Sequence, residues 1–351
     1  MNLFVLYMII FLSACMISYI FTFIMRGIAL RFNWFDLPQK RKVHTKRMPT
    51  LGGISLWLGF NVGMIFAFLK MSKLYADFFT QFFGLSIAFL LVLITGVCDD
   101  LYNLSSKLKL IIQVAIALIL LYYGFEINVI STPVGGSLPL GILSIFISVF
   151  WIVGLINAIN LLDGLDGLAA GVSGIALFFM FIAGLQMQII PVVVLSLSVM
   201  GAVAGFLPHN FYPAKIFMGN TGSMFLGAAL AVISIKSFQK QSAVFTLFVP
   251  VMAMALPIID TFLSIIRRIV NKKPIFKADK GHIHHKLLLE EKTQTKTVLS
   301  LYFLTTCFGL IALSFSKLRG LYAFLALILV FLVVLKWLKS WGFLNFKSGN
   351  K

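Results

Sequence analysis

The stretch GILSIFISVFWIVGLINAINLLDGLDGLAAG, Gly141–Gly171, joins an apolar segment to a cluster of polar side chains. Its first part, Gly141–Leu162, is long enough to cross the hydrocarbon of a bilayer as a helix. Asp163 and Asp166 follow at once, although the whole chain has only 11 acidic residues. Because charged groups near a membrane interior are costly, such acids are usually functional. The stretch therefore predicts a membrane helix that ends at a cation-binding site.

The composition places the whole chain among the helical membrane proteins. Of its 351 residues, 60% are hydrophobic and 11% are charged, and the mean hydropathy is +1.01. A soluble domain is nearer half apolar and a quarter charged. We therefore predict an all-α polytopic fold with about 11 transmembrane helices in a single domain, residues 1–351. The predicted spans are Leu3–Met25, Gly52–Leu69, Phe78–Cys98, Leu108–Phe125, Gly141–Leu162, Leu168–Leu185, Ile189–Leu207, Gly222–Ile235, Val244–Ile266, Val298–Phe315 and Leu321–Leu335.

The basic residues favour one orientation of these spans. With the N-terminus outside and the C-terminus in the cytoplasm, 23 of the 29 lysines and arginines fall in cytoplasmic segments. Cytoplasmic loops of membrane proteins carry such an excess. The formal net charge of +18 thus follows from topology and from attraction to anionic lipids, and it requires no nucleic acid.

Polar clusters from distant parts of the chain fall on the cytoplasmic side of this topology. Unrelated polar residues would scatter over both faces, whereas the outer loops carry very few. We therefore predict that loops near residues 26–51, 99–107, 163–167, 208–221 and 267–297 form one active site.

Asn157, Asn160 and Asp163 recur at helical spacing, so they share one face if the helix continues. Carboxylate and carboxamide oxygens suit a hard cation such as Mg²⁺, which often takes one or two carboxylates plus substrate phosphates. The alternative is a structural contact between helices, which is disfavoured because unpaired acids at this depth are costly. Asp99 and Asp100 end another span; taken alone, they are equally consistent with charges facing water at a span end.

Basic clusters fit a phosphate substrate. Lys107 is expected to neutralise one of the paired acids or to bind phosphate. The H-I-H-H loop, residues 282–285, fits a zinc site, but its flanking lysines would repel a cation, so a diphosphate-binding loop is favoured. His44 is weaker evidence, and P-T-L-G-G, Pro49–Gly53, is expected to offer backbone N–H groups to an anion. Together the clusters predict phosphoryl transfer at one membrane face.

The motifs and their order resemble the polyprenyl-phosphate N-acetylhexosamine-1-phosphate transferases, the family of the MraY, WecA and TagO enzymes. The resemblance runs from Asp36 to about Leu287 and is carried by R-K-V-H, P-T-L-G-G, the D-D pair, H-I-H-H and the near-diagnostic N-A-I-N-L-L-D-G-L-D-G-L-A-A-G. It implies transfer of N-acetylglucosamine 1-phosphate from UDP-N-acetylglucosamine to undecaprenyl phosphate, with release of UMP. It also implies Mg²⁺, with Mn²⁺ as an alternative, a bacterial cytoplasmic membrane, and a homodimer.

The resemblance assigns roles residue by residue. Asp99 and Asp100 match paired aspartates proposed to deprotonate the lipid phosphate or to help place the metal, and Asp163 completes the expected catalytic set. The histidine loop matches the segment proposed to hold the diphosphate of the donor. The expected substrate-binding residues are Asp36, His44, Lys107, Asn157, Asn160, Asp166, His282, His284 and His285, and the expected metal ligands are Asp99, Asp163 and Asn220.

One position departs from the family pattern. The family usually reads F-M-G-D-x-G-S before the eighth span, where the aspartate is a principal Mg²⁺ ligand, and this chain has Asn220 instead. A carboxamide binds Mg²⁺ more weakly because it brings no charge. Either the residue is an inactivating substitution, which we favour, or the natural site relies on Asp99, Asp100 and Asp163.

Other classes remain as alternatives. They are a catalytically impaired homologue that binds lipid or nucleotide sugar, and a transferase for another UDP-N-acetylhexosamine. A secondary transporter is disfavoured because its polar groups would lie near the middle of the bilayer. The resemblance also implies the start of a lipid-linked surface glycan such as teichoic acid or O-antigen.

Overall fold

A computed structural model describes residues 2–38, 45–71, 76–132, 136–238, 248–271 and 282–315, with a few isolated positions beyond. This part of the chain forms twelve helices and four short strands. The helices are α1 (Leu3–Arg31), α2 (Gly53–Met71), α3 (Ala76–Tyr102), α4 (Ser106–Tyr122), α5 (Leu143–Leu162), α6 (Leu168–Gln186), α7 (Ile190–Asn210), α8 (Gly219–Phe238), α9 (Phe248–Ala253), α10 (Ala255–Val270), α11 (Ile283–Glu291) and α12 (Gln294–Phe315). The strands are β1 (Phe35–Asp36), β2 (Met48–Pro49), β3 (Val129–Thr132) and β4 (Gly136–Pro139).

Seven of the described helices are long and apolar enough to cross a membrane. They are α1, α2, α5, α6, α7, α12 and the Gln81–Tyr102 part of α3. The chain is therefore a polytopic membrane protein, as its composition predicted. At 17 and 16 residues, α4 and α10 are shorter than the roughly 20 that a bilayer requires. The predicted span Leu321–Leu335 lies largely outside the described residues.

The structure corrects the all-α prediction at two antiparallel hairpins. β1 pairs with β2, which places Asp36 opposite Met48, and β3 pairs with β4. Strands of two to four residues are too short to show the alternation on which a sequence-based assignment depends.

The predicted ninth span is also divided into α9 and α10. Pro257 stands in the first turn of α10 and has no N–H to bond back to residue 253, which favours a break in the helix at this point. The two short helices thus replace a single predicted span.

The core is built around α8, which packs against α2, α3 and α5. Phe225 of α8 meets Phe60 of α2 and Phe89 of α3, with ring centroids 5.7 and 5.3 Å away. Side chains along α8 are buried on all sides, as expected for a helix surrounded by other helices. This packing fixes the first turn of α8 against its neighbours.

Polar residues gather at one end of the bundle. Hydrogen bonds join the end of α3 to the start of α8, the end of α5 to the start of α8, and the turn before α6 to the end of α7. We call this the polar end. The terminal residues of five elements therefore lie together at the polar end.

Candidate active site

Asp100 is the central acceptor at the polar end. One carboxylate oxygen accepts hydrogen bonds from the amide of Asn220 at 2.7 Å and from its side-chain Nδ2 at 3.0 Å. The other accepts from the amide and the hydroxyl of Thr221, at 3.1 and 2.7 Å. Gly219 makes this approach feasible: its φ is +71°, and a Cβ there would lie 2.2 Å from Asp100 Oδ2. Asp100 is thus fully engaged with the first turn of α8.

Asn220 lies between two polar neighbours. Its Nδ2 donates to Asp100, while its Oδ1 accepts a hydrogen bond of 2.7 Å from Nδ2 of Asn160. Asn160 also donates to Ser223 Oγ at 2.9 Å. The carboxamide of Asn220 therefore satisfies one acceptor and one donor at the same time, and it joins α3, α5 and α8.

Asp99 forms an ion pair with Lys109. It is 3% exposed, and its Oδ2 lies 3.0 Å from Nζ of Lys109. Lys107, which was predicted to serve the aspartate pair, is exposed. The ion pair neutralises Asp99, so Asp100 is the member of the pair whose charge acts on Asp163.

Asp163 is the carboxylate around which the others gather. It follows the last residue of α5 and is partly buried, and no hydrogen bond to its carboxylate comes from the described residues. Burial raises the pKa of Asp163 to about 8, with further contributions from the charges of Asp100, Asp166 and Asp36. Like charges disfavour one another's ionisation, and within the described part of the chain the charged groups that act on Asp163 are all acids. A divalent cation would supply a positive partner.

The D-G-L-D-G turn, Asp163–Gly167, is fixed by three hydrogen bonds. Asp166 accepts a bond of 3.0 Å from an amide of the loop before α8. Asn210 accepts a bond of 3.2 Å from the amide of Gly167, and the hydroxyl of Tyr302 donates to the carbonyl of Gly167 at 2.5 Å. The turn is therefore held by α7 and α12 as well as by its own acid.

The histidine loop is anchored by Asp260 of α10. Nδ1 of His282 lies 3.0 Å from Oδ2 of Asp260, and the other oxygen accepts a bond of 2.7 Å from the amide of Ile283. Asp260 and His282 are 2% and 4% exposed. The carboxylate thus fixes both the ring of His282 and the start of α11.

His284 packs directly on the aspartate turn. A Cβ at Gly164 would lie 2.4 Å from Nε2 of His284, so only glycine leaves room for the ring. Burial lowers the pKa of His284 to about 3, and the ring is therefore neutral. His285 is partly exposed, which makes it the most accessible histidine of the loop.

Sequence comparison identifies the family. The model of Glycosyl transferase family 4 matches residues 82–238, the segment that holds Asp100, Asp163 and Asn220. The probable undecaprenyl-phosphate N-acetylglucosaminyl 1-phosphate transferase of Bacillus subtilis is 35% identical over 93% of this chain and 88% of its own length. The chain belongs to glycosyl transferase family 4. It is a membrane glycosyl-1-phosphate transferase, as its motifs predicted.

Two further relatives support the assignment of this transferase. The undecaprenyl-phosphate alpha-N-acetylglucosaminyl 1-phosphate transferase of Thermotoga maritima is 31% identical over 85% of this chain and 87% of its own length. The decaprenyl-phosphate N-acetylglucosaminephosphotransferase of Mycobacterium tuberculosis is 34% identical over 83% of this chain and 78% of its own length. The transferase therefore resembles these enzymes over most of both chains.

The glycine amides of P-T-L-G-G have a structural role in the transferase. Gly52 and Gly53 donate to the carbonyls of Phe217 and Met218, each at 3.0 Å. The amide of Phe217 donates back to the carbonyl of Pro49 at 2.8 Å. The prediction that these glycine amides meet an anion is therefore wrong, because the loop before α8 occupies them.

Asn157 is separated from the other asparagine of its helix. Its Nδ2 donates to Gln113 of α4 at 2.7 Å and to the carbonyl of Val153 at 2.8 Å. The expected common face of residues 157, 160 and 163 is interrupted, because α5 ends at Leu162. Asn157 thus joins α5 to α4, and Asn160 joins α5 to α8.

The donor set of the transferase fits Mg²⁺ without forming a finished metal centre. Among the described residues, no group of three or more His, Cys, Asp or Glu side chains is arranged to hold an ion. Mg²⁺ commonly binds one or two carboxylates together with waters and substrate phosphates. Asp163 fits that pattern, because the charges of three other acids act on it and no donor to its carboxylate is found in the described part of the chain. His44 and the lysines at 272, 273, 277 and 280 lie outside the described residues.

Three residues of the site were not predicted from the sequence: Lys109, Asp260 and Tyr302. Asp260 carried a signal, since it is an acid within a predicted span and such acids are usually functional. Lys109 and Tyr302 carried none, because their partners lie 10 and 135 positions away. Only the folded chain brings them to the polar end.

Proposed function

We propose that this transferase moves N-acetylglucosamine 1-phosphate from UDP-N-acetylglucosamine to undecaprenyl phosphate, releases UMP, and so initiates a lipid-linked surface glycan such as teichoic acid or O-antigen. The observation that carries the proposal is the group of carboxylates around Asp163, in a chain similar to named N-acetylglucosaminyl 1-phosphate transferases over most of its length. The bias of basic residues supports catalysis on the cytoplasmic face.

The reaction exchanges one phosphoanhydride bond for another. An oxygen of the lipid phosphate would bond to the phosphorus of the sugar phosphate, and the bond from that phosphorus to UMP would break. Such reactions depend mainly on positioning and on charge stabilisation. Bound Mg²⁺ would neutralise charge on the diphosphate, and Asp163 is the residue best suited to hold it.

We assign separate roles to the side chains around Asp163. We assign Asp100 to positioning Asn220 and the first turn of α8, because its oxygens accept four hydrogen bonds there. We assign His285 to the donor diphosphate because it is the accessible histidine, while His282 and His284 hold the loop in place. Asp99, paired with Lys109, would keep a positive charge near the acids.

Asn220 supports a second candidate function. A catalytically impaired homologue that binds the lipid or the nucleotide sugar would lose its metal while keeping its fold, and the neutral carboxamide at position 220 is consistent with that. A donor other than UDP-N-acetylglucosamine is a further alternative, since the family also includes relatives named phospho-N-acetylmuramoyl-pentapeptide-transferase. As in the family, the working unit would be a homodimer.

One assay separates these functions. The full chain, purified in detergent with undecaprenyl phosphate and Mg²⁺, is incubated with UDP-N-acetylglucosamine, UDP-N-acetylgalactosamine or UDP-N-acetylmuramoyl-pentapeptide, and released UMP is measured. We expect release from the first donor, and its loss with EDTA or in Asp163→Asn. Release only from another donor would overturn the donor assignment. Absence of release from both the chain and Asn220→Asp would favour the binding homologue.

A further inference from the structure

A second group of polar side chains lies where α1 packs against α7, and we call it the second polar pocket. The two helices touch closely, since a Cβ on Gly205 would lie 2.1 Å from the carbonyl oxygen of Cys15. About one turn further along each helix, the rings of Tyr19 and His209 are 4.7 Å apart at their centroids. His209 precedes Asn210, whose side chain holds Gly167, so the pocket is at the polar end of the bundle.

Two nitrogen atoms in this pocket are buried without partners. They are Nε2 of His209 and Nε of Arg26, and neither has a hydrogen-bond partner within the described part of the chain. His209 as a whole is only 8% exposed. Buried polar atoms are nearly always hydrogen-bonded, so each orphaned atom requires an explanation. A ligand that accepts hydrogen bonds would satisfy the Arg26 atom and a protonated Nε2 of His209.

The charges in the pocket select an anion. Among the described residues, the charged groups that act on His209 are Lys215 and Arg26, and both are basic. The amide of Lys215 donates to the carbonyl of His209 at 2.8 Å, which fixes this loop residue beside the end of α7. Guanidinium and ammonium groups around a buried imidazole form a typical phosphate-binding set.

The depth of the pocket matches a lipid headgroup. Roughly 20 helical residues cross the hydrocarbon, while α1 and α7 have 29 and 21 residues, and Arg26 and His209 lie near their final turns. The neighbouring surface of α1 exposes Phe23, Ile24 and Leu30. An anion bound here would therefore have apolar chain surface beside it on the membrane side.

We propose that Arg26, His209 and Lys215 bind the phosphate of an anionic phospholipid in the leaflet at the polar end. The site is separate from the Asp163 cluster, and its existence does not depend on the proposed transferase reaction. The headgroup phosphate would accept hydrogen bonds from Arg26 and His209, and the acyl chains would lie along the exposed face of α1. Lys215, at the open edge of the pocket, would add attraction without a fixed contact.

Native mass spectrometry of the full chain in neutral detergent tests this site. Phosphatidylglycerol is titrated in, and the dissociation constant of the tightest bound lipid is measured. Arg26→Gln and His209→Phe are each expected to weaken that binding by at least tenfold; phenylalanine keeps the ring against Tyr19 and removes the nitrogens. Lys215→Gln, at an exposed position that the fold tolerates, is expected to weaken binding about threefold.

Arg31→Gln is the matched control, because it removes the same charge from the exposed last turn of α1. We expect it to change the dissociation constant by less than twofold. An equal loss in Arg31→Gln and Arg26→Gln would overturn the proposal, since it would indicate general attraction to basic residues. Binding of inorganic phosphate as tight as that of phosphatidylglycerol would also overturn it, because the ligand would then be a free anion.

Discussion

Replacing Asn220 with aspartate tests the metal site most directly. The side-chain Nδ2 of Asn220 lies 3.0 Å from Oδ1 of Asp100, and a carboxylate in that place would turn a hydrogen bond into a repulsion. At an effective dielectric constant near 20, two unit charges at this distance repel by about 5.5 kcal/mol. A divalent cation held by Asp163 and the new carboxylate would offset that repulsion. Asn220→Asp should therefore bind Mg²⁺ more tightly and depend on it more strongly.

The expected gain appears in both activity and stability. At saturating Mg²⁺, we expect the rate of UMP release to rise at least tenfold, which corresponds to about 1.4 kcal/mol of transition-state stabilisation. In EDTA, we expect Asn220→Asp to unfold at a lower temperature than the parent chain, and Mg²⁺ should restore it. Both quantities are measured on the same detergent-purified sample.

Asn128→Asp provides the matched control for this substitution. Asn128 lies beside β3 at the opposite end of the bundle, where its Oδ1 and the carboxylate of Glu126 both lie within hydrogen-bond distance of the Ser144 hydroxyl. An aspartate there adds the same charge, again near an existing acid. The rate of Asn128→Asp and its response to Mg²⁺ should equal those of the parent chain. Equal rates in Asn220→Asp and the parent chain would show that position 220 is not a metal ligand.

Three other substitutions test the contacts around Asp163. Lys109→Gln removes the partner of the buried Asp99 and should lower the free energy of unfolding by about 1–3 kcal/mol, as measured by thermal unfolding. Lys107→Gln, at an exposed position, should leave the free energy of unfolding unchanged. Similar effects of the two substitutions would contradict a special role for the ion pair. Asp260→Asn should reduce the rate of UMP release by ten- to a hundredfold, because the ring of His282 would lose its anchor. Ser264→Ala, one helical turn away, should retain the rate of the parent chain. An unchanged rate in Asp260→Asn would contradict the anchoring role of Asp260. Gly164→Ala should displace His284 and reduce the rate of UMP release at least tenfold. Gly154→Ala, whose Cβ would meet nothing within 4 Å, should retain the rate of the parent chain. Equal rates in the two variants would show that the ring of His284 has room to move.

The sequence predicted the elements that depend on local pattern. Long apolar runs identified the membrane helices, and acids beside such runs identified Asp163 and Asp100, because both signals depend on the cost of moving groups between water and hydrocarbon. Helical spacing was less reliable at the site. It placed residues 157, 160 and 163 on one face, but α5 ends before Asp163 and the two asparagines bond to different helices.

What the sequence did not predict depends on pairing between distant segments. Lys107 and Lys109 are both close to the aspartate pair along the chain, and only the course of α4 decides which reaches Asp99. The glycines at 52 and 53 fit an anion site by their sequence, but in the folded chain their amides donate to carbonyls of the loop before α8. Backbone N–H and C=O groups at a contact between two segments form hydrogen bonds with the segment that packs against them. The periodicity of the sequence does not indicate which segment that is.

The hydrogen bonds between Asp100 and α8 link the stability of α8 to the same side chain that was expected to be catalytic. A helix buried on all sides begins with amides that have no partner in their own helix, and here an acid from α3 acts as their N-cap. The favourable interaction of that acid with the positive end of the helix macrodipole adds to the effect. The start of α8 is therefore stabilised by its contact with α3. An inactive Asp100 variant would report on assembly and on chemistry together, and only a variant shown to retain its fold would distinguish them.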